Sequence, residues 1–258
     1  MWGYKYQAKI DSVQNRAIRC FLGVHRFAPN HAIQGDMGWP SSSHRRKLDM
    51  CRLWNRLVTM PSSRLPYQVF MIESNMTGNR ANNWAREMRK LFDDIELSDV
   101  YRLKRTCDLN LVSSSLKYIE EQEWESSRYN KPKLRYYNMV KAIFEPEEYV
   151  LSDISKRRRS LIAQLRSGIL PLQVEVGRFR NISLCDRVCI LCQNGSIEDE
   201  FHFVCECSAY SDLRVDMLRK IQNQIPDICT LDPLFQFTVI MADFQKNSSR
   251  LCTTSDGN

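Results

Sequence analysis

Four residues in the last third of the chain restrict it more than any other feature: Cys189, Cys192, His202 and Cys207, in the spacing C-x2-C-x9-H-x4-C. A C-x2-C pair lets two thiolates reach one ion from a tight turn, and the loop that follows must bring an imidazole and a third thiolate back to it. Gln193-Asn194-Gly195-Ser196 supplies turn-forming residues where that reversal is needed. Three sulfurs and one nitrogen suit zinc, and four protein ligands leave no open position for a catalytic water. The expectation is one structural Zn2+ ion. Cys205 competes with Cys207 for the fourth position, and Cys185 is a further rival. Cys20, Cys51, Cys107 and Cys229 read as ordinary buried thiols.

The chain has ten cysteines, so their compartment matters. Residues 1–20 hold no apolar signal core, because Lys5, Lys9, Asp11, Arg16 and Arg19 interrupt the stretch. The longest late apolar run, around Phe237–Ala242, is too short to span a bilayer. A reducing, intracellular location without membrane attachment is expected, and clustered cysteines there read as metal ligands rather than disulfides.

The net charge of +7 is unevenly spread. Residues 1–60 carry ten Lys and Arg against three acids, and residues 151–180 carry seven against two. Residues 61–150 balance at fourteen of each, and residues 181–258 are acidic, with six against eleven. A polyanion would meet two segments rather than the whole surface. Glu198, Asp199, Glu200 and Glu206 flank the ligands and would repel phosphate, so the knuckle reads as a staple for its basic neighbours.

The apolar periodicity is helical almost throughout, which predicts a mainly α chain with a small CCHC knuckle. Tyr6, Ile10, Val13, Ala17 and Phe21 form one apolar stripe, with Lys5, Lys9, Arg16 and Arg19 on another side. A turn-rich stretch follows over 28–40. Ser41–Ser43 offer a cap for a helix burying Met50, Leu53, Trp54 and Leu57, with Arg45, Arg52 and Arg56 elsewhere on it. Further helices are expected after Pro66 and over 83–95, 109–129 and 133–144. Another runs from Ser152 to Ser167, with Ile154, Leu161, Ile162 and Leu165 inward and Gly168 as its stop. Residues 253–258 read as a disordered tail.

Two stretches carry a family likeness: Gln14-Asn-Arg-Ala-Ile-Arg-Cys-Phe-Leu-Gly-Val24 with Gly35-Asp-Met-Gly-Trp39, and Arg166–Arg180 with Arg187–Cys192 and Glu198–Cys207. In that order they resemble the C-terminal region of non-LTR (LINE-type) retrotransposon reverse transcriptases. The resemblance covers nearly the whole chain, most specifically at the zinc segment. It implies a thumb-like basic helical region over 1–75, a helical linker over 76–150, a basic helix plus knuckle over 151–225, and a short helix and tail over 226–258. It implies binding of RNA or DNA, the polymerase part of a longer polyprotein as partner, and no small-molecule substrate. Cys189, Cys192, His202 and Cys207 match the family's knuckle, whereas Cys205 replaces an apolar residue usual there. A protein-interaction scaffold and a decayed element without activity are the alternatives.

Polymerase chemistry is not expected. Reverse transcriptases need paired aspartates on a hairpin to hold two metal ions. Asp93-Asp94 lie instead in a charged helical stretch, with Phe92 directly before them. Pro226-Asp227 and Asp243-Phe-Gln-Lys246 only approximate a nuclease pattern, with one residue too many before the lysine. The expected nucleic-acid contacts are Lys5, Lys9, Arg16, Arg19, Arg45, Arg52, Arg56, Arg157, Arg159, Arg178 and Arg180, all aimed at phosphates. Arg157-Arg158-Arg159 also fits a nuclear-localisation element, and Arg158 falls near the apolar side of its helix, where it would pair with a buried carboxylate. Among the tryptophans, Trp39 is the one to test for stacking on a base, with a structural role as the favoured reading.

Overall fold

The computed structural model describes residues 8–76, 83–129 and 131–242. Lys5, Tyr6, Asp243–Lys246 and the 253–258 tail lie outside them. The chain is mainly α, and among the described residues the only β feature is an isolated bridge between Val188 and Ile197. The helices are α1 (Ala8–Leu22), α2 (Asn30–Met37), α3 (Ser42–Val58), α4 (Leu65–Asn75), α5 (Trp84–Asp94), α6 (Ser98–Arg102) and α7 (Leu109–Arg128). Then come α8 (Tyr137–Val140), α9 (Glu148–Leu151), α10 (Lys156–Arg166), α11 (Gln173–Phe179), α12 (Ser211–Gln222) and α13 (Pro233–Met241). No helix among the described residues is long and apolar enough to cross a membrane.

Two compact units form, one from residues 1–14 and 40–123, the other from 15–39 and 124–258. Two of the three crossings fall inside α1 and α7, where no loop signal marks them.

The first unit follows its apolar pattern. Ser41 caps α3 by accepting from the His44 amide at 3.1 Å, and Met50, Cys51, Trp54 and Leu57 form the buried face. Asn83 caps α5 in the same way, accepting from Arg86 at 3.0 Å. Trp84, Met88, Leu91 and Phe92 then recur at helical spacing and are buried, with Arg86, Arg89 and Lys90 on the other side. Trp54 is enclosed by Phe70, Trp84, Phe92 and Tyr101, and its indole N–H donates to the Arg105 carbonyl at 2.8 Å. Asp93 and Asp94 sit exposed at the end of α5, and the Ser98 hydroxyl donates to Asp93.

The second unit departs from its pattern in several places. On α1 the buried side is Asn15, Ile18 and Leu22, while Ile10, Val13, Ala17 and Phe21 are exposed. Ile18 and Leu22 pack with Ile33, Met37, Val150 and Ala163, and Gln34 donates to the buried Asn15 carbonyl oxygen at 2.8 Å. Helix α2 occupies most of the stretch expected to be turns, ending at Gly38 with φ +58°. A Cβ at Gly38 would run into Pro146, so glycine answers both a conformational and a packing demand. The helix expected over 133–144 shrinks to a 3-10 turn, Pro132–Leu134, and the four residues of α8. Three successive side chains there take different tertiary partners: Arg135 binds Glu200, Tyr136 binds Asp199, and Tyr137 donates to the Ala32 carbonyl. One regular helix would not aim all three. Helix α10 starts at Lys156 behind a Ser155 cap and stops at Gly168, φ +65°. Leu161 is exposed; Ala163 and Arg166 are the buried residues.

Arg166 is the centre of a buried polar network. Its guanidinium clasps both Asp36 oxygens at 3.0 Å, reaches Glu147 at 3.3 Å, and donates to the Met241 carbonyl. Tyr149 donates to Asp36 at 2.6 Å, and Lys141 pairs with Glu147. Two acids and two cations thus cancel inside the core, with most of their hydrogen-bonding groups engaged. Arg158, expected to do this, is exposed.

Candidate metal centre and basic surfaces

Cys189 lies at the end of a short reversal. Its amide donates to the Ser196 carbonyl at 2.9 Å, beside the Val188–Ile197 bridge. The turn between them uses Gln193 and Gly195 at positive φ, and Asn194 Oδ1 accepts from both the Ser196 amide and the Cys192 thiol. This turn delivers two sulfurs to one side. The other two donors, His202 and Cys207, stand at the start of and directly after a π-helical turn over His202–Glu206. The Cys207 amide donates to the His202 carbonyl at 2.8 Å, a bond five residues long. In an α-helix, residues five apart point about 140° away from each other. The wider π turn brings them to nearly the same side, as often happens at functional sites.

The donor atoms of Cys189, Cys192, His202 and Cys207 all lie within 4.8 Å of one another and can hold a metal ion. Cys189 Sγ is 3.8 Å from Cys207 Sγ, and Cys192 Sγ is 3.4 Å from His202 Nε2. A tetrahedral zinc with bonds of about 2.3 Å to sulfur and about 2.0 Å to nitrogen requires separations of about 3.8 and about 3.5 Å. The sulfurs are also too far apart for a disulfide, whose bond is about 2.05 Å. These two separations are the ones a thiolate–imidazole site requires, and the four donors together can close on one ion. Cys205 is not among the gathered donors, and burial pushes its thiol up to about 11. Cys185 is exposed and outside the group. The Asn194 backbone amide lowers the pKa of Cys192, favouring its thiolate.

The surrounding acids serve the site's architecture. Glu206, four residues after His202, stands 3.3 Å from His202 Nδ1 and orients the ring so that Nε2 faces the thiolates. Asp199 accepts from the His202 amide at 2.9 Å and from Tyr136 at 2.6 Å. Glu198 is buried, accepting from the Gln173 amide at the start of α11. Glu200 is buried against Arg135, and burial raises its pKa. So Glu198 and Glu200 are not surface charges that repel phosphate. Arg214 closes the π turn by donating to Val204 and Cys207 carbonyls, each at 2.7 Å. Asp199 three residues before His202, and Glu206 four after it, were the available sequence signals for capping and orientation.

The basic residues separate into two groups. Lys9, Arg16, Arg45, Arg56, Arg157 and Arg180 are exposed and have no carboxylate partner among the described residues. The remainder are engaged: Arg52 pairs with Asp49, Arg178 with Glu175, and Arg19 donates to Ala28 and Asn30. Arg159 donates to the Ile154 carbonyl and lies over the Phe21 ring at 4.4 Å. With the Ser160 hydroxyl donating to the Gly23 carbonyl at 2.6 Å, this contact joins the start of α10 to the end of α1. Arg16, Arg19 and Arg26 thereby share a unit with the basic stretch 151–180, whereas Lys9, Arg45, Arg52 and Arg56 belong to the other unit. Trp39 is 42% exposed, while Trp54, Trp84 and Trp124 are core residues. Comparison with protein families, curated proteins and solved structures gives no match to this chain.

Proposed function

We propose that the chain is a zinc-stapled, nucleic-acid-binding piece of a retrotransposon-type reverse transcriptase that lacks the polymerase's own aspartates. The observation that carries this reading is the donor set, whose 3.8 and 3.4 Å separations suit one tetrahedral zinc. Zinc there is structural: it ties the 189–197 reversal to the π turn and so fixes α11 and α12 on either side. Support for nucleic acid comes from the free cations Arg16, Lys156, Arg157 and Arg158, which the α1–α10 contact gathers in one unit. Contacts of that kind read phosphate and not sequence. The two stretches that carry the family likeness also pack together, through Asp36 and Arg166.

The test is fluorescence anisotropy of the zinc-loaded chain with labelled RNA and duplex DNA over a salt series. Affinity should fall linearly on logarithmic axes, and Arg157→Gln with Arg158→Gln should flatten the slope by about one to two. Binding to neither nucleic acid at low salt would refute the reading. A protein-contact role is favoured instead by the exposed apolar pair Ile10 and Val13 on α1, and stable self-association or partner capture that Val13→Asp abolishes would support it.

A further inference from the structure

The loop after α1 and the C-terminal end of α11 bring two phenylalanines together at the surface. Phe27 is 47% exposed and Phe179 54%. Their ring centroids are 5.2 Å apart at 55°. His25 packs edge-on against Phe27 at 5.6 Å. Arg26 lies over the Phe27 ring, 4.8 Å from its centroid, and Arg178 over the Phe179 ring at 5.3 Å. Lys133 ties the two elements together, donating to the Phe27 carbonyl at 3.2 Å while standing 5.9 Å from the Phe179 ring. Glu175 pairs with two of these three cations, Lys133 and Arg178.

Both rings remain about half exposed although each carries a guanidinium over it, so part of each aromatic surface is left to solvent. The cations add positive potential at the same place. A ligand that matches both properties is flat, aromatic and attached to negative charge. Unpaired nucleotides meet that description; a duplex does not, because its base faces are already stacked on one another. We infer that Phe27 and Phe179, flanked by Arg26, Arg178 and Lys133, form a stacking platform for bases of single-stranded nucleic acid. The inference rests on the nucleic-acid reading above and adds to it a preference for single strands. Because Lys133 and Glu175 already fix the two elements, little ordering accompanies binding.

The test uses the full zinc-loaded chain, a labelled oligouridine and a labelled duplex. Phe27→Leu with Phe179→Leu keeps apolar volume but removes both π faces. Single-strand affinity should drop about tenfold or more, and duplex affinity should stay within about twofold. Equal single-strand affinity in wild type and variant would overturn the platform and mark the patch as an apolar contact for protein. Equal loss for strand and duplex would overturn it as well. If wild type binds neither, the nucleic-acid reading itself has failed, which is a different result. Should the double variant lose its zinc or helical signal, an oligonucleotide carrying 2-aminopurine decides the matter on wild type. Quenched fluorescence on binding supports stacking, and bound but unquenched fluorescence overturns it.

Discussion

At the centre of the first unit stands Trp54, fully buried, ringed by four aromatic side chains and making one hydrogen bond. The corresponding place in the second unit belongs to Arg166, equally buried but held by Asp36, Glu147 and a backbone carbonyl. The first arrangement loses contact area when disturbed. The second loses the compensation of a buried charge, which no repacking restores. The Cys/His cluster adds to this contrast, because its donors come together only when the 189–197 reversal and the π turn have both formed. One chain thus contains a core that tolerates conservative exchange and a core that demands exact partners.

Metal removal should separate the two most sharply. A strong chelator under reducing conditions should abolish hydrogen-exchange protection from about residue 187 to 214, because binding free energy at such sites is folding free energy of about 10 kcal/mol or more. Protection in α3 and α5 should survive. Uniform loss across both units would erase the distinction.

Arg166→Ala and Trp54→Ala should each cost about 3–5 kcal/mol, by uncompensated charge in one case and by cavity formation in the other. The conservative exchanges then differ. Arg166→Lys should recover little, since an ammonium cannot clasp both Asp36 oxygens. Trp54→Phe should recover a substantial part. Urea unfolding midpoints check both pairs, and full rescue by Arg166→Lys would break the comparison.

Acid should act on the second core through Asp36. Burial works against its charge, but the Arg166 guanidinium, the Lys141 ammonium and the Tyr149 hydroxyl together outweigh this and hold the carboxyl below its ordinary range. A depressed folded pKa stabilises fully above the unfolded value and is lost as pH falls through the folded one. Midpoints should therefore decline below about pH 4, and Asp36→Asn, weaker at neutral pH, should show a shallower decline. The smallest effect is expected at Glu206: Glu206→Gln should weaken zinc affinity by about tenfold through a less firmly oriented His202, leaving stoichiometry at saturation unchanged.

What could be read from the sequence follows the same division. Caps and apolar spacing announce α3 and α5, because Ser41, Asn83 and the residues they precede act locally. The Cys/His cluster was legible from spacing, which named Cys207 and kept Cys205 as a rival, but the geometry that leaves Cys205 outside it was not. It depends on a π turn, which the apolar period does not encode. Asp36 and Arg166 lie 130 residues apart, and each alone looks like a solvated charge. The stripe on α1 misled for the converse reason: Ile10 and Val13 have the period of a buried face, yet Ile18 and Leu22 on another side meet the core.

The most direct measurement is the zinc content of four purified variants, Cys189→Ser, Cys207→Ser, Cys205→Ser and Cys185→Ser, beside the wild-type chain. One zinc per chain, lost in the first two and retained in the last two, is the predicted result. Zinc retained in Cys207→Ser, or absent from the wild type, would contradict the assignment of the site and the role built on it.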